Sequence, residues 1–185
     1  LNLNRGADPL TLDPALAVDT TDTLVIEQLF AGLVDIDDDS GEVIPDLAES
    51  WMISPDQTVY TFKIRGDAAW SDGRPITAGD VRYGILRALS PDTGADYAFI
   101  LGMIKNAAGF SSGSITDAAQ VGVDALDDTL LKITLEHPDS TLLTILSLWV
   151  ARPTPEWAIE AWGEAWTEPS HIVTSGAYRL SEWVH

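Results

Sequence analysis

Residues 59–65 alternate cleanly, with Tyr60, Phe62 and Ile64 on one side and Thr61, Lys63 and Arg65 on the other. A period of two of this kind predicts a strand with one face against a core. A second alternation predicts a hairpin: Val121, Val123 and Ala125 lead to an Asp127-Asp128 turn, and Leu131, Ile133 and Leu135 return against Lys132, Thr134 and Glu136. Helical spacing shows instead at residues 23–33, where Leu24, Ile26, Leu29, Phe30 and Leu33 recur every three or four positions. Residues 77–89 carry the same signal in Val81, Ile85 and Leu89. Thr77 and Asp80 open that stretch as a capping box, since a hydroxyl and a carboxylate three residues apart can each satisfy a free amide of the first turn. Pro91 ends it.

The remaining pattern is weaker. Leu1 to Arg5 alternates like a short strand, and residues 6–21 read as a loop punctuated by Pro9, Asp13 and Pro14. Asp37-Asp38-Asp39-Ser40-Gly41 reads as a turn between two short strands. Residues 97–103 suggest a short helix, 109–114 a flexible Gly/Ser loop, and 142–149 an apolar helix. Thr154 followed by Pro155 predicts an N-cap with a first-turn proline, opening a helix that carries Trp157, Ala161 and Trp162. Residues 177–184 read as a final strand. Helices alternating with hairpins imply an α/β architecture around a mixed sheet. Strands at both ends imply that residues 1–44 and 169–185 share one subdomain, with 45–168 inserted as a second.

Composition narrows the function more than the fold. The chain has 185 residues, 45% of them hydrophobic and seven of them Trp, enough for a folded core. Its net charge is −19, from 29 acidic and 10 basic residues, and only three are Lys. Such a surface makes nucleic acid a poor partner, because phosphate contacts depend on Lys and Arg. There is no Cys, so disulfides, thiolate metal sites and Cys nucleophiles are excluded. No apolar run nears the roughly 20 residues that span a bilayer. No basic segment followed by an apolar one opens the sequence, so any secretion signal is expected to have been removed or never present.

Candidate chemistry is sparse. Gly109-Phe110-Ser111-Ser112-Gly113 fits the nucleophile-elbow pattern, which would make Ser111 the nucleophile of a hydrolase. The elbow requires a strand before the serine and a helix after it, and neither is predicted here. Asp35, Asp37 and Asp39 have calcium-loop spacing, but Ser40 holds the position that needs glycine and Asp46 the one that needs Glu. An acidic surface hairpin explains the run better. Trp157, Trp162 and Trp166 could form a sugar-stacking platform, although packing is the commoner use of large aromatics. The sequence carries no convincing catalytic, metal or cofactor signal, and the expectation is that the protein is not an enzyme.

Three blocks carry a resemblance: Pro45-Asp46-Leu47-Ala48-Glu49-Ser50-Trp51, Tyr60-Thr61-Phe62-Lys63-Ile64-Arg65, and Trp70-Ser71-Asp72-Gly73-Arg74-Pro75-Ile76-Thr77-Ala78-Gly79-Asp80. With Leu12-Asp13-Pro14, Leu29-Phe30-Ala31-Gly32-Leu33, Asp127-Asp128-Thr129-Leu130 and Gly176-Ala177-Tyr178 they span nearly the whole chain. In this order the sequence resembles the extracellular solute-binding proteins of peptide/nickel-type ABC importers, nearest the oligopeptide-binding branch.

The resemblance implies an incomplete first lobe of a type II periplasmic-binding-protein-like fold, with an inserted α/β subdomain and the second lobe absent. It implies a periplasmic or extracellular receptor, membrane-associated in the parent protein, that closes on an oligopeptide and delivers it to an ABC permease. A sugar-oligomer or nickel-chelate ligand is the alternative within the family. By position, Val18, Asp19 and Thr20 match a loop that pairs with ligand backbone, a sequence-tolerant grip, and Tyr97 matches an aromatic that faces the ligand. No cofactor is implied. Some self-association of the truncated chain is expected from exposed sheet edge or apolar surface.

Overall fold

The computed structural model describes residues 8–184, so the strand expected at residues 1–5 lies outside them. Helix α1 spans Thr20–Leu29, three residues earlier at its start and four earlier at its end than the apolar spacing predicts. Both shifts follow from specific hydrogen bonds. The Asp19 carboxylate accepts from the amides of Thr21 and Asp22 at 2.8 and 3.0 Å and starts the helix before its first apolar residue. At the other end the Ala31 amide donates to Ser175 Oγ and the Gly32 amide to Asp46, so neither continues the helical ladder.

Strands β1 (Val34–Ile36) and β2 (Val43–Pro45) form a small antiparallel hairpin around the predicted acidic turn. The second sheet has four strands: β3 (Ala48–Ile53), β4 (Val59–Ile64), β5 (Val123–Ala125) and β6 (Leu130–Thr134), in the order β3-β4-β6-β5. The α/β class holds, and every strand pairing among the described residues is antiparallel. Register places Phe62 opposite Leu131 and Tyr60 opposite Ile133, so one face of the sheet is continuous buried hydrocarbon.

Helix α2 (Ala78–Leu89) covers that face with Val81, Ile85 and Leu89. Its capping box forms as the sequence predicts: Thr77 Oγ1 accepts from the Asp80 amide, and Asp80 accepts from the Thr77 amide at 2.7 Å. Asp80→Ala is expected to cost about 1 kcal/mol of stability, readable as a lower urea midpoint at constant m-value. A 3₁₀ turn follows at Ala98–Leu101, where a short helix is expected over 97–103. Helix α3 (Ala107–Ser111) then takes up half of the expected Gly/Ser loop, because buried Ala107 and Phe110 anchor one side of it.

The apolar stretch from 142 divides into helix α4 (Leu142–Leu146) and a 3₁₀ turn at Trp149–Ala151, with Leu148 extended between them. Helix α5 is Glu156–Trp162. The cap falls one residue later than predicted: Pro155 holds the cap position, and the Thr154 hydroxyl is buried without a hydrogen bond. Residues 177–184 pair in no ladder, so the predicted last strand does not form among the described residues.

Two hydrophobic clusters result. The first lies between the four-stranded sheet and α2. The second joins Leu12, Ile26 and Phe30 to Trp70 and Trp166, bringing early and late segments of the chain together. Gly176 permits that contact. A Cβ there would stand 2.6–2.8 Å from the backbone of Gln28, Leu29 and Phe30, a collision only glycine avoids.

Candidate functional site

The loop before α1 is held from three sides. Both oxygens of the buried Asp13 carboxylate are used: Arg87 of α2 donates to each, at 2.7 and 2.6 Å, and the Trp166 indole donates at 3.1 Å. The Ala15 amide closes the set at 3.0 Å. The Asp13 carbonyl accepts from Leu16 and Ala17, turning the chain outward. Ala17 is buried, and its carbonyl accepts from the Trp149 indole N–H at 3.1 Å.

This framework presents Val18, 42% exposed, as the loop's apex. Among the described residues the Val18 amide and carbonyl and the Asp19 amide have no hydrogen-bond partner. Asp19 is half-buried with its carboxylate committed to the first turn of α1, and Thr20 is that helix's exposed first residue. The loop therefore offers main-chain donors and an acceptor, with the exposed apolar side chains of Leu16 and Val18 beside them. Its acid is a capping group, with its charge spent on helix amides.

Tyr97 opens the 3₁₀ turn at Ala98–Leu101 and is half-buried. Its ring meets Trp149 edge-on at 5.2 Å and lies nearly parallel to Phe99 at 6.0 Å. Trp149 thus links the two regions singled out in the sequence, with its N–H on Ala17 and its ring on Tyr97. Sequence reasoning missed Trp149, which sits in an apolar run and reads as core, and it missed Phe99, which reads as one more helical apolar residue.

A second electrostatic feature lies under α1. Arg152 is buried and donates to the carbonyl of Phe30, at the helix's C-terminal end, and to that of Ser147. Burial pulls its guanidinium pKa down, opposed by Glu27, Asp35 and Asp46. Burial likewise raises the carboxyls of Glu27 and Asp46, with Arg152 opposing the rise in both and the Gly32 amide a stronger brake on Asp46. These groups brace the junction between α1 and the small hairpin.

Other candidates resolve into structure. Ser111 is the last residue of α3, so no strand precedes it and no elbow forms. Asp37 accepts from the Ser40 amide and hydroxyl at 2.8 Å, an acidic turn bonded within itself. No group of three or more metal-ligating side chains gathers among the described residues. Trp166 is buried edge-on to Phe30, Trp157 meets Trp70 edge-on, and Trp162 stacks on His171 at 3.8 Å. The three indoles point to three different neighbours and form no shared platform. No helix among the described residues is long and apolar enough to cross a membrane.

The model of bacterial extracellular solute-binding proteins, family 5, middle region, matches residues 42–185. The periplasmic oligopeptide-binding protein OppA of Escherichia coli is 40% identical over 98% of this chain and 33% of its own length. A probable deoxycholate-binding periplasmic protein, YgiS, of the same organism is 38% identical over 98% of this chain and 34% of its own. The crystal structure of Haemophilus influenzae OppA in complex with the peptide RPPGFSPFR superposes with a TM-score of 0.93 at 33% identity, covering 98% of this chain and 35% of that one. The chain thus spans about a third of the length of the curated relatives it matches.

Proposed function

This chain belongs to the bacterial extracellular solute-binding proteins of family 5, and on that premise we propose that it is part of the first lobe of an oligopeptide receptor. In this reading the whole protein captures peptides outside the cytoplasmic membrane and delivers them to an ABC permease. Residues 1–44 and 169–185 would form the hinge side of the lobe, and 45–168 the inserted subdomain.

The observation that carries the reading is the Val18 apex. A main chain with unpaired donors and an acceptor, fixed in place by Trp149 and Asp13, suits an extended ligand that offers the same groups at every residue. Peptides do so whatever their sequence, whereas sugars and metal chelates do not. Tyr97, held by the same indole, would lie beside the bound backbone.

The test is thermal denaturation of this chain and of a version extended with its downstream coding sequence. Ligands are trialanine, maltotriose, a nickel chelate and deoxycholate, the last chosen because of the YgiS relative. A peptide at about 100 times its Kd adds about 2.7 kcal/mol to the bound state, which raises Tm by several degrees. That rise is expected for trialanine with the extended protein. A rise for deoxycholate and none for trialanine would overturn the peptide assignment.

A further inference from the structure

Phe99 is 71% exposed, although Ala98 and Leu101 in the same 3₁₀ turn are buried. The turn is therefore anchored, and the ring it carries is held out in solvent. Three aromatic rings run in series from the Ala17 carbonyl: Trp149 bonded to it, Tyr97 edge-on to Trp149, and Phe99 stacked on Tyr97. Two of the three are partly covered by this packing, and the last is not. Phe99 also walls an open recess of about 380 Å³ whose other walls include Leu89, Ala98 and Ala107, with the Asp96 carboxylate beside them.

We infer that Phe99 is a specificity-determining residue, an aromatic ledge that receives one apolar or aromatic side chain of a bound peptide; this rests on the peptide-receptor reading above. The row begins at the loop that would hold the peptide backbone, so a peptide running from Val18 along the row would bring one of its later side chains to the exposed ring. An incoming aromatic finds a stacking partner there and apolar walls in the adjoining recess. An acidic side chain meets no cation in that lining, whose polar residues are the acid Asp96 and the neutral Ser111 and Ser112.

The experiment is isothermal titration of the extended protein with trialanine, with the three peptides that move a single Phe through a trialanine frame, and with the matching Glu series. Wild type is expected to bind Phe at one position about fivefold to tenfold more tightly than trialanine, the range an aromatic pair supplies, and Glu there more weakly. Phe99→Ser is expected to remove that preference, bringing the Phe peptide to within twofold of trialanine measured on the same variant. Phe99→Trp is expected to keep it. A preference that survives Phe99→Ser, or an equal loss for trialanine and the Phe peptides, overturns the ledge while leaving the receptor reading intact. Failure of wild type to bind any of the peptides overturns both.

Discussion

Asp13→Ala is expected to lower the unfolding free energy by about 3–5 kcal/mol, a large share of the 5–15 kcal/mol that holds a typical domain. The Asp13 carboxylate is almost fully buried and bonded at both oxygens by the Arg87 guanidinium, itself mostly buried. Removing the acid strands a desolvated cation in α2 and leaves the Trp166 indole and the Ala15 amide without their acceptor. The pair is therefore costly to break from one side, even though its formation repays much of its Coulomb energy in desolvation. A double-mutant cycle with Arg87→Met makes the argument quantitative. The double variant is expected to lose clearly less than the two single losses added together, because no unpaired charge remains. Urea titration followed by tryptophan fluorescence reads both quantities. A loss below about 1 kcal/mol for Asp13→Ala would mean that the pair behaves as a solvated surface bridge, and the anchoring role given to it would fail.

How much of this was legible beforehand follows from the range of each interaction. The strand at residues 59–64 and the Thr77/Asp80 box could be read because every group involved lies within a few positions in the chain. The start of α1 escapes the pattern because the apolar spacing begins at Leu24, whereas the cap at Asp19 sets the boundary. Its end escapes the pattern because Ser175 and Asp46, distant in sequence, capture the amides that would continue it. Residues 177–184 read as a strand, but a strand also needs a partner, and sequence pattern alone does not supply one.

The candidate site divides the same way. Leu12-Asp13-Pro14 is legible as a family mark, yet no spacing rule connects Asp13 to Arg87 or Trp166, which are 74 and 153 residues away. Val18, Asp19, Thr20 and Tyr97 came from the resemblance alone. What the structure adds to them is an indole between loop and ring, and a charge on Asp19 that is already taken by α1.

Trp149→Ala is expected to cost about 3 kcal/mol or more, in the range for loss of a large aromatic from packed surroundings, and to cut peptide affinity of the extended protein at least tenfold. Trp149 packs against both hydrophobic clusters, so its removal opens the boundary between them. It also frees the Ala17 carbonyl and withdraws the edge that steadies Tyr97. Trp149→Phe separates the two effects. A phenyl ring retains much of the packing but has no N–H, so stability is expected to fall by only about 1 kcal/mol, the net worth of one hydrogen bond. Affinity should fall further than that small loss suggests, because the Val18 apex is no longer fixed before the ligand arrives and its ordering must be met on binding. Urea midpoints together with trialanine titration decide the matter. If Trp149→Phe lowers stability while leaving trialanine affinity unchanged, the indole serves the core alone, and the link it makes between loop and ring has no part in binding.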